Sequence, residues 1–275
     1  MILWLASYPK SGNTFVRALI SSYLNSEDDN VFSKIKGIRS FPKKSSFDGI
    51  VDDDLIKKDH MQLFKYFLSA QKKINENNKL NFVKTHNFFG STNGYEFTDR
   101  KNTAGVIHIV RDPRAIAVSY AHHSDISFKK SVDLLLMENR IGINDGGYPE
   151  ARMSWKIHFN SWFNCSFPKL LIKYEDLNKD TYNNFKKILV FINQFLRNKF
   201  EIDEDKIKKT IEICSFNNLS RLESEIGFNE KQKNVKFFRK GENKEWETVL
   251  PSKLISQIEN HSLKELKKLN YIKTI

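Results

Sequence analysis

The sequence predicts an α/β protein in which helices flank a central parallel β-sheet. Short apolar, β-prone runs occur at 2–6, around 81–84, at 106–110 and at 170–174. Segments with helical spacing of apolar residues separate these runs, which is the pattern of successive βαβ units. A chain of 275 residues can bury a sizeable core, and we predict one α/β domain over residues 1–275.

The first strand leads directly into an amphipathic helix. Residues 2–6 are continuously apolar, as in a buried strand, and apolar residues recur at helical spacing from Phe15 to Leu24. The segment YPKSGNTF at 8–15 joins the two. A strand, a tight loop with Lys, Ser, Gly and Thr, and a helix form the usual layout of a phosphate-binding loop. The loop is not a Walker A motif, since its lysine precedes the glycine, and an ordinary connector is the alternative.

The rest of the chain is predicted from the same periodicities. Apolar residues at helical spacing predict helices over 61–73, 181–197 and 252–269. Residues 25–60 are polar, include the acidic run 52–54, and predict loop and short helix rather than a separate domain. Weak periodicity predicts polar loops over 97–105 and 222–237.

Composition and charge narrow the functional classes. The formal charge of +12 raises the question of nucleic-acid binding, but many lysines fall on predicted solvent-facing helix sides and no known DNA- or RNA-binding signature is present. We therefore predict no nucleic-acid partner.

Cys165 and Cys214 have no disulfide or metal spacing and are expected to be buried free thiols. We find no signal peptide and no apolar run of membrane-spanning length, so we expect a cytoplasmic protein without membrane association.

Five motifs occur along the chain in a recognisable order. The loop at 8–15 is followed by Lys84-Thr85-His86, by VRDPR at 110–114 with Ser119-Tyr120, by YEDL at 174–177 and by FRKG at 238–241. In this order and spacing they resemble the sulfotransferases that use 3′-phosphoadenosine 5′-phosphosulfate (PAPS). The resemblance covers almost the whole chain. It implies the P-loop-kinase-like sulfotransferase fold and transfer of a sulfuryl group from PAPS to an acceptor hydroxyl, less commonly to an amine.

The resemblance also implies which residues bind the donor and which take part in the chemistry. Lys10 would stabilise the oxygen of the leaving nucleotide, and Lys84 would face the sulfuryl oxygens. His86 is the candidate general base, because an imidazole titrates near neutral pH. The implied donor-binding residues are Lys10, Ser11, Gly12, Asn13, Thr14, Phe15, Arg111, Ser119, Tyr174, Ser215, Phe216, Arg239, Lys240 and Gly241.

Structural roles remain as alternatives for several of these residues. Phe15 stands where the family has an adenine-stacking tryptophan, and could simply pack in the core. Arg111 could form an ion pair with Asp112 instead of binding a 3′-phosphate, and Arg114 is expected to face solvent. The segment 222–237 precedes the FRKG motif, and we expect it to act as a lid that orders when donor binds.

The acceptor is defined only broadly. His123 takes the position of a frequent aromatic gate, and Phe88, Phe89, Tyr95, Tyr148 and Trp155 are further candidates for the pocket lining. Mixed aromatic and polar groups suit the hydroxyl of a sugar, glycoside or peptide-like molecule better than that of a bare steroid, and the acceptor is predicted to be a small-molecule, glycoside or peptide-like compound. The dimer signature of many cytosolic members is missing after Trp246, so no oligomeric state is predicted.

Two other functions remain open from the sequence. A nucleotide-dependent phosphotransferase would need Mg²⁺ and a Walker-type loop. The sequence has no Walker-type Gly-Lys-Ser/Thr motif. A non-catalytic nucleotide- or polyanion-binding protein could keep the loop, but it would not require His86 as a base. No carboxylate pair or histidine cluster has metal-ligand spacing, so no metal is expected.

Overall fold

The structure, a computed structural model, describes residues 1–25, 30–52, 59–144, 146–230 and 235–273. In this part of the chain the strands are β1 (Ile2–Ser7), β2 (Arg39–Ser40), β3 (Asn81–Thr85), β4 (Ser91–Thr92), β5 (Tyr95–Glu96), β6 (Thr103–Val110), β7 (Ile141–Ile143), β8 (Pro149–Ala151) and β9 (Lys169–Lys173). The helices are α1 (Asn13–Leu24), α2 (Val31–Lys36), α3 (Phe67–Asn75), α4 (Pro113–Ser124), α5 (Phe128–Leu136), α6 (Trp155–Phe163), α7 (Tyr174–Lys179), α8 (Thr181–Asn193), α9 (Glu204–Ile213), α10 (Phe216–Ile226), α11 (Trp246–Val249) and α12 (Ser252–Lys268). Two 3₁₀ helices span Lys44–Ser46 and His60–Tyr66.

The predicted strands form the main sheet. Its order is β2-β3-β1-β6-β9, and β1 runs parallel to both β3 and β6. Ala6 is in register with Thr85, and Ser7 with Ile109, so β1, β3 and β6 end at one edge of the sheet. Parallel α/β sheets place ligands at this carboxyl edge. The α/β architecture with a central parallel sheet flanked by helices is confirmed.

Residue contacts divide the chain into two compact units. The first consists of Met1–Tyr8, Ile38–Ile109 and Met137–Leu171, and contains most of the sheet. Its core is rich in aromatic residues: Trp4 packs against Phe41 and Phe97 at ring-centroid distances of 5.8 and 5.0 Å. The Trp4 indole N–H donates to Thr103 Oγ1 at 2.9 Å, so the central strand is held by a buried hydrogen bond as well as by packing.

The second unit consists of Pro9–Gly37, Val110–Leu136 and Ile172–Ile275. In it, α1 packs against α2 and α9, and α12 packs against α4 and α5. Helix α4 begins with Pro113, whose fixed φ suits a first helical position, and the Asp112 carboxylate caps the helix by accepting from the N–H of Arg114. Helices α1 and α4 are therefore both held by packing against other helices of this unit.

Two predicted loops are shorter than expected. β6 begins at Thr103, so 103–105 are strand residues. Because Gly105 has no side chain, the apolar pattern starts only at Val106, and the first three residues of the strand were not predicted. Helix α10 runs to Ile226, so 222–226 are helical. There the buried residue Glu223 accepts hydrogen bonds from the N–H groups of Phe237 and Phe238 at 2.6 and 2.9 Å. A polar residue at a buried helical position weakens the apolar periodicity.

The predicted helices are present with shifted ends. The helix expected at 61–73 is the 3₁₀ segment His60–Tyr66 followed by α3. The helices expected at 181–197 and 252–269 are α8 and α12. Residues 25–60 contain α2, β2 and a 3₁₀ turn, while 26–29 and 53–58, including most of the acidic run, lie outside the described residues.

Candidate active site

The loop before α1 passes twice through the left-handed backbone region. Lys10 has φ 66°, and Gly12, the N-cap residue of α1, has φ 92°. Within the described chain, no side-chain hydrogen bond caps α1 and its first turn holds no acidic residue. The first N–H groups of a helix lack intrahelical acceptors, and the helix dipole favours negative charge beside them. The start of α1 is therefore suited to binding an anion.

Gly12 permits a close approach that another residue would block. A Cβ atom at this position would lie 2.3 Å from the ring of Tyr174. The same ring lies 4.5 Å, measured to its centroid, from the guanidinium carbon of Arg111. Loop, tyrosine and arginine thus form one packed cluster in the second unit, from three motifs that are far apart in sequence.

Arg111 is buried, with 8% of its surface exposed. Its Nη1 donates to the Lys10 carbonyl at 3.1 Å and its Nη2 to the Glu242 carbonyl at 3.0 Å. Its Nε–H is buried and has no hydrogen-bond partner within the described residues. Asp112, the alternative ion-pair partner from the sequence, instead binds Arg114. A buried guanidinium whose hydrogen bonds within the described residues go to neutral carbonyls favours a nearby anion.

The Lys10 ammonium lies against an aromatic ring. Its Nζ is 4.0 Å from the ring centroid of Phe237, a cation–π distance. His123 packs edge-on against the same ring at 5.6 Å. The side chain of Lys10 is thereby held by a residue of the segment that was predicted to cover the donor.

The remaining loop residues differ in exposure. Ser11 is 1% exposed and its hydroxyl has no hydrogen-bond partner within the described part of the chain. Asn13 and Thr14 are buried, whereas Phe15 is half-buried. The Thr14 hydroxyl donates to Glu230 Oε2 at 3.0 Å. A half-buried ring at position 15 is not part of the interior core, which weakens the simple packing alternative for it.

The FRKG motif is held by an acidic residue downstream. The Glu245 carboxylate forms two hydrogen bonds with the Arg239 guanidinium and lies 3.1 Å from the Lys240 ammonium. These cations hold the pKa of Glu245 below its usual value, Arg239 most strongly. Gly241 has φ 69°, and a Cβ there would lie 2.8 Å from the ring of Phe216. The motif therefore packs tightly on another of the predicted donor residues.

The last donor-site predictions lie on helices of the second unit. Ser119 is half-buried on α4. Ser215 caps α10 by accepting from the N–H of Asn218 at 3.4 Å, so its hydroxyl already has a structural partner.

The expectation that Arg114 faces solvent is wrong. The residue is 5% exposed, and its guanidinium forms ion pairs with Asp112 and Glu259, both at 2.6 Å. It also lies 3.9 Å from the ring centroid of Trp246. The ion pairs raise the pKa of Arg114 against the opposing effect of burial. This arginine therefore stabilises the start of α4, and residues more than a hundred positions downstream bury it.

His86 lies in the first unit, directly after β3. Its Nδ1 is 2.7 Å from the carbonyl oxygen of Ser7. Since a carbonyl oxygen can only accept, Nδ1 carries the hydrogen and Nε2 carries the lone pair. The last residue of the central strand thus fixes the tautomer in which His86 Nε2 can accept a proton.

The surroundings of His86 favour its neutral form. Burial lowers its pKa well below 6.5, the charges of Lys84 and Arg152 lower it further, and the Ser7 carbonyl partly opposes the shift. Arg152 forms an ion pair with Glu150 at 2.6 Å. A neutral imidazole with a free lone pair is the state that a general base requires.

Two residues that the sequence analysis missed hold the segment after β3. The ring of His158 hydrogen-bonds to the backbone of Asn87 and of His86, and the Trp162 indole donates to the Asn87 carbonyl at 2.9 Å. Both rings lie on α6 and are at most 1% exposed. The N–H of Ala151 donates to Asn87 Oδ1 at 2.9 Å. The spacing His158–Trp162 on one helix face was visible in the sequence, but nothing there connects it to His86.

The first unit contains buried histidines, so its free energy of unfolding should depend on pH. Burial lowers the pKa of His158 to about 3 and that of His108 well below 6.5. Groups that stay neutral when folded but protonate near 6.5 when unfolded stabilise the protein above that pH and lose this contribution as the pH falls. At pH 5 His158, whose folded pKa is about 3, should have lost about 2 kcal/mol of folding free energy. We expect His108→Phe to reduce the fall in the free energy of unfolding between pH 7 and pH 5, as measured by denaturant unfolding; an unchanged difference would contradict it.

The candidate acceptor residues are distributed unevenly. Phe88 and Phe89 are half-buried beside His86 in sequence, and Tyr95 is 41% exposed. Tyr148 and Trp155 are core residues: Tyr148 stacks on Phe47 at 5.7 Å, and Trp155 is 2% exposed. Phe88 and Phe89 are thus the better placed of these aromatics to contact a ligand.

The residues predicted to bind the donor have features suited to an anion. Among the described residues, buried polar atoms of Ser11 and Arg111 lack hydrogen-bond partners, and aromatic rings lie within 3 Å of the positions that a Cβ atom would take at Gly12 and Gly241. In the described ranges, no group of three or more His, Cys, Asp or Glu residues is placed to hold a metal ion. No described helix is both long enough and apolar enough to cross a bilayer.

Comparison with known proteins decides the family. Residues 2–270 match the family model described as "Sulfotransferase domain". The chain belongs to the sulfotransferase family. The predictions of this family and of an enzyme of the sulfotransferase class are confirmed by the match.

Individual sulfotransferases are similar at low identity. Flavonol 3-sulfotransferase of Flaveria bidentis is 26% identical over 269 residues, covering 94% of this chain and 79% of that protein. Cytosolic sulfotransferase 15 of Arabidopsis thaliana is 26% identical over 270 residues, covering 92% and 68%. The crystal structure of retinol dehydratase in a complex with retinol and PAP superposes with a TM-score of 0.63 at 18% identity, covering 97% of this chain and 81% of that one. This superposition supports the sulfotransferase fold.

Proposed function

We propose that the protein transfers the sulfuryl group of PAPS to a hydroxyl group of a small-molecule acceptor, with His86 as the general base. The observation that carries the proposal is the fixed tautomer of His86, whose Nδ1–H is bound to the Ser7 carbonyl. A protein that only binds nucleotides needs no such base. The anion-binding features around Gly12, Arg111 and Tyr174 support an anionic donor.

Each residue contributes positioning, charge or proton transfer. When bound, PAPS supplies a sulfuryl group whose S–O bond to the 5′-phosphate breaks as the bond to the acceptor oxygen forms, the electron pair leaving with the product nucleotide PAP. Lys10 stabilises the negative charge that grows on the phosphate oxygen, and Lys84 stabilises the sulfuryl oxygens. His86 Nε2 takes the acceptor proton. Arg111, Ser119 and the FRKG motif bind the 3′-phosphate.

The acceptor is proposed only as a class. Flavonol 3-sulfotransferase and the luciferin sulfotransferase of Photinus pyralis are named for small molecules, which supports a small-molecule hydroxyl here. Phe88 and Phe89 would contact it. A screen with labelled PAPS should include flavonols, glycosides and tyrosine-containing peptides, since sugar and peptide-like hydroxyls were also expected.

We further propose that residues 1–275 act as one catalytic domain. We also propose that the protein is cytoplasmic, like the relative named as cytosolic.

Donor binding gives the direct test. We expect PAP to bind in calorimetry in the presence of EDTA, and more tightly than ATP. Loss of one charge-assisted contact to phosphate weakens binding by about 1.5–3 kcal/mol, so Arg111→Ala should raise the Kd for PAP about 10- to 150-fold. Arg221→Ala, which removes an exposed arginine paired with Glu225, is the matched control and should leave the Kd unchanged. A requirement for Mg²⁺, or tighter binding of ATP, would refute the proposed donor.

A further inference from the structure

Arg17 is a buried arginine next to the phosphate-binding loop. It lies one helical turn after Thr14 on α1, and its side chain is 2% exposed. Its Nη2 donates to the Thr14 hydroxyl at 3.1 Å and lies 2.5 Å from Glu230 Oε1. None of the five sequence motifs assigns it a role.

Glu230 contacts both groups at once. Its Oε1 binds Arg17, and its Oε2 accepts from the Thr14 hydroxyl at 3.0 Å. Two oxygens of one anion are thus shared between a guanidinium and a hydroxyl. A phosphate group offers oxygens in a similar arrangement, and arginine recognises carboxylate and phosphate by the same fork of donors. The carboxylate therefore occupies positions that phosphate oxygens could take.

Arg17 has one donor that Glu230 does not satisfy. Its Nε–H is buried and has no hydrogen-bond partner in the described ranges. An unsatisfied buried donor is unfavourable, and it is more so on a charged group. A phosphate monoester, such as the 3′-phosphate of the donor or either phosphate of PAP, has one more terminal oxygen than a carboxylate, so it could supply the missing acceptor while keeping the two existing contacts.

The two partners differ in their freedom to separate. The Arg17 guanidinium is almost fully buried, and a buried guanidinium is strongly destabilising without an anion beside it. The Glu230 side chain is 31% exposed and can be hydrated. The neighbouring Phe228 packs against Phe32 at 4.5 Å and against Phe237 at 5.0 Å, so the segment has anchors other than the ion pair.

We propose that Arg17 is a donor-binding residue and that Glu230 is its internal competitor, displaced by a phosphate group of the donor. The inference rests on the proposed function, because it assigns Arg17 to that same donor site. In the donor-free protein the Glu230 carboxylate neutralises Arg17 and occupies the Thr14 hydroxyl. When donor binds, phosphate oxygens take over both contacts and the carboxylate moves to solvent.

Calorimetric titration of the full chain with PAP tests this exchange. Glu230→Gln removes the competing charge but keeps the size of the side chain, and should tighten PAP binding about 2- to 10-fold. Arg17→Gln should weaken it about 10- to 150-fold. In the double variant the gain from Glu230→Gln should disappear, because there is no longer an arginine to compete for. Glu225→Gln removes an exposed carboxylate of the same unit and should have no effect.

The possible outcomes separate the two proposals. If the parent protein does not bind PAP, the proposed function fails. If it binds PAP but Glu230→Gln weakens binding, the ion pair is a structural clamp and the inference is overturned. Unchanged affinity in Arg17→Gln overturns it as well. Thermal unfolding of each variant reports folding; if Arg17→Gln does not fold, Glu230→Gln alone decides, because its predicted tightening cannot arise from loss of structure.

Discussion

Replacing His86 by alanine is expected to abolish most turnover while leaving the affinity for PAP nearly unchanged. Nε2 is the only ring nitrogen free to accept a proton, because Nδ1–H is bound to the Ser7 carbonyl. Positioned general bases contribute about 10²- to 10⁴-fold to rate, so kcat should fall by that factor. Steady-state kinetics and PAP calorimetry on one preparation would measure both quantities. His261→Ala, on α12 of the second unit, is the control and should keep full activity.

The pH profile distinguishes a base from a structural histidine. Because burial and the charges of Lys84 and Arg152 lower the pKa of His86, the acidic limb of kcat/KM should lie below pH 6.5. Arg152→Gln removes one of these charges and should move the limb to higher pH. A loss of activity below tenfold in His86→Ala would point to another base. A parallel loss of PAP affinity would instead mark His86 as structural.

Replacing Lys10 by alanine is expected to lower kcat and kcat/KM together. If its ammonium stabilises charge that develops on the bridging oxygen, its effect belongs to the transition state, and KM for the donor should hardly change. Removing one preorganised electrostatic group typically lowers kcat about 10²- to 10³-fold. Lys208→Ala, which removes an exposed lysine paired with Asp205, is the matched control. A raised KM with unchanged kcat would show that Lys10 only anchors phosphate.

Lys10→Arg separates geometry from charge. A planar guanidinium carries the same charge but cannot place it as one compact ammonium. We expect this variant to recover donor binding and only part of the rate. Full kcat in Lys10→Arg would contradict the idea that the ammonium acts on one oxygen, and would leave the loop as a general anion cradle.

Prediction from sequence worked best where local pattern and motif coincided. The continuous apolar run before the loop predicted β1, and the loop composition predicted a chain turn before α1, which the left-handed residues Lys10 and Gly12 provide. His86 was selected because the motif Lys84-Thr85-His86 matches the family at the end of a predicted strand; the structure places it directly after β3, and its role as a base stays a prediction. In each case neighbouring residues in the chain carry the information.

Interactions between distant segments were not predictable in the same way. Arg17 and Glu230 are 213 positions apart, and no periodicity or motif joins them. Arg114 was expected to face solvent because many members of the family that the motifs resemble carry a lysine at this position. Its burial depends on Glu259 and on the Tyr271 carbonyl, which the C-terminal part of the chain supplies. Tertiary contacts of this kind form only in the folded chain and leave no local pattern in the sequence.

The way the two units alternate along the chain has a consequence for recombination. All residues proposed to bind the donor belong to the segments Pro9–Gly37, Val110–Leu136 and Ile172–Ile275. His86 belongs to Ile38–Ile109, whereas Ser7, whose carbonyl binds its ring, belongs to Met1–Tyr8. The unit that contains the candidate base is therefore assembled from separate stretches of the chain. Any single crossover between residues 9 and 171 divides both units, so chimeras with a relative that keep each unit whole require paired exchanges.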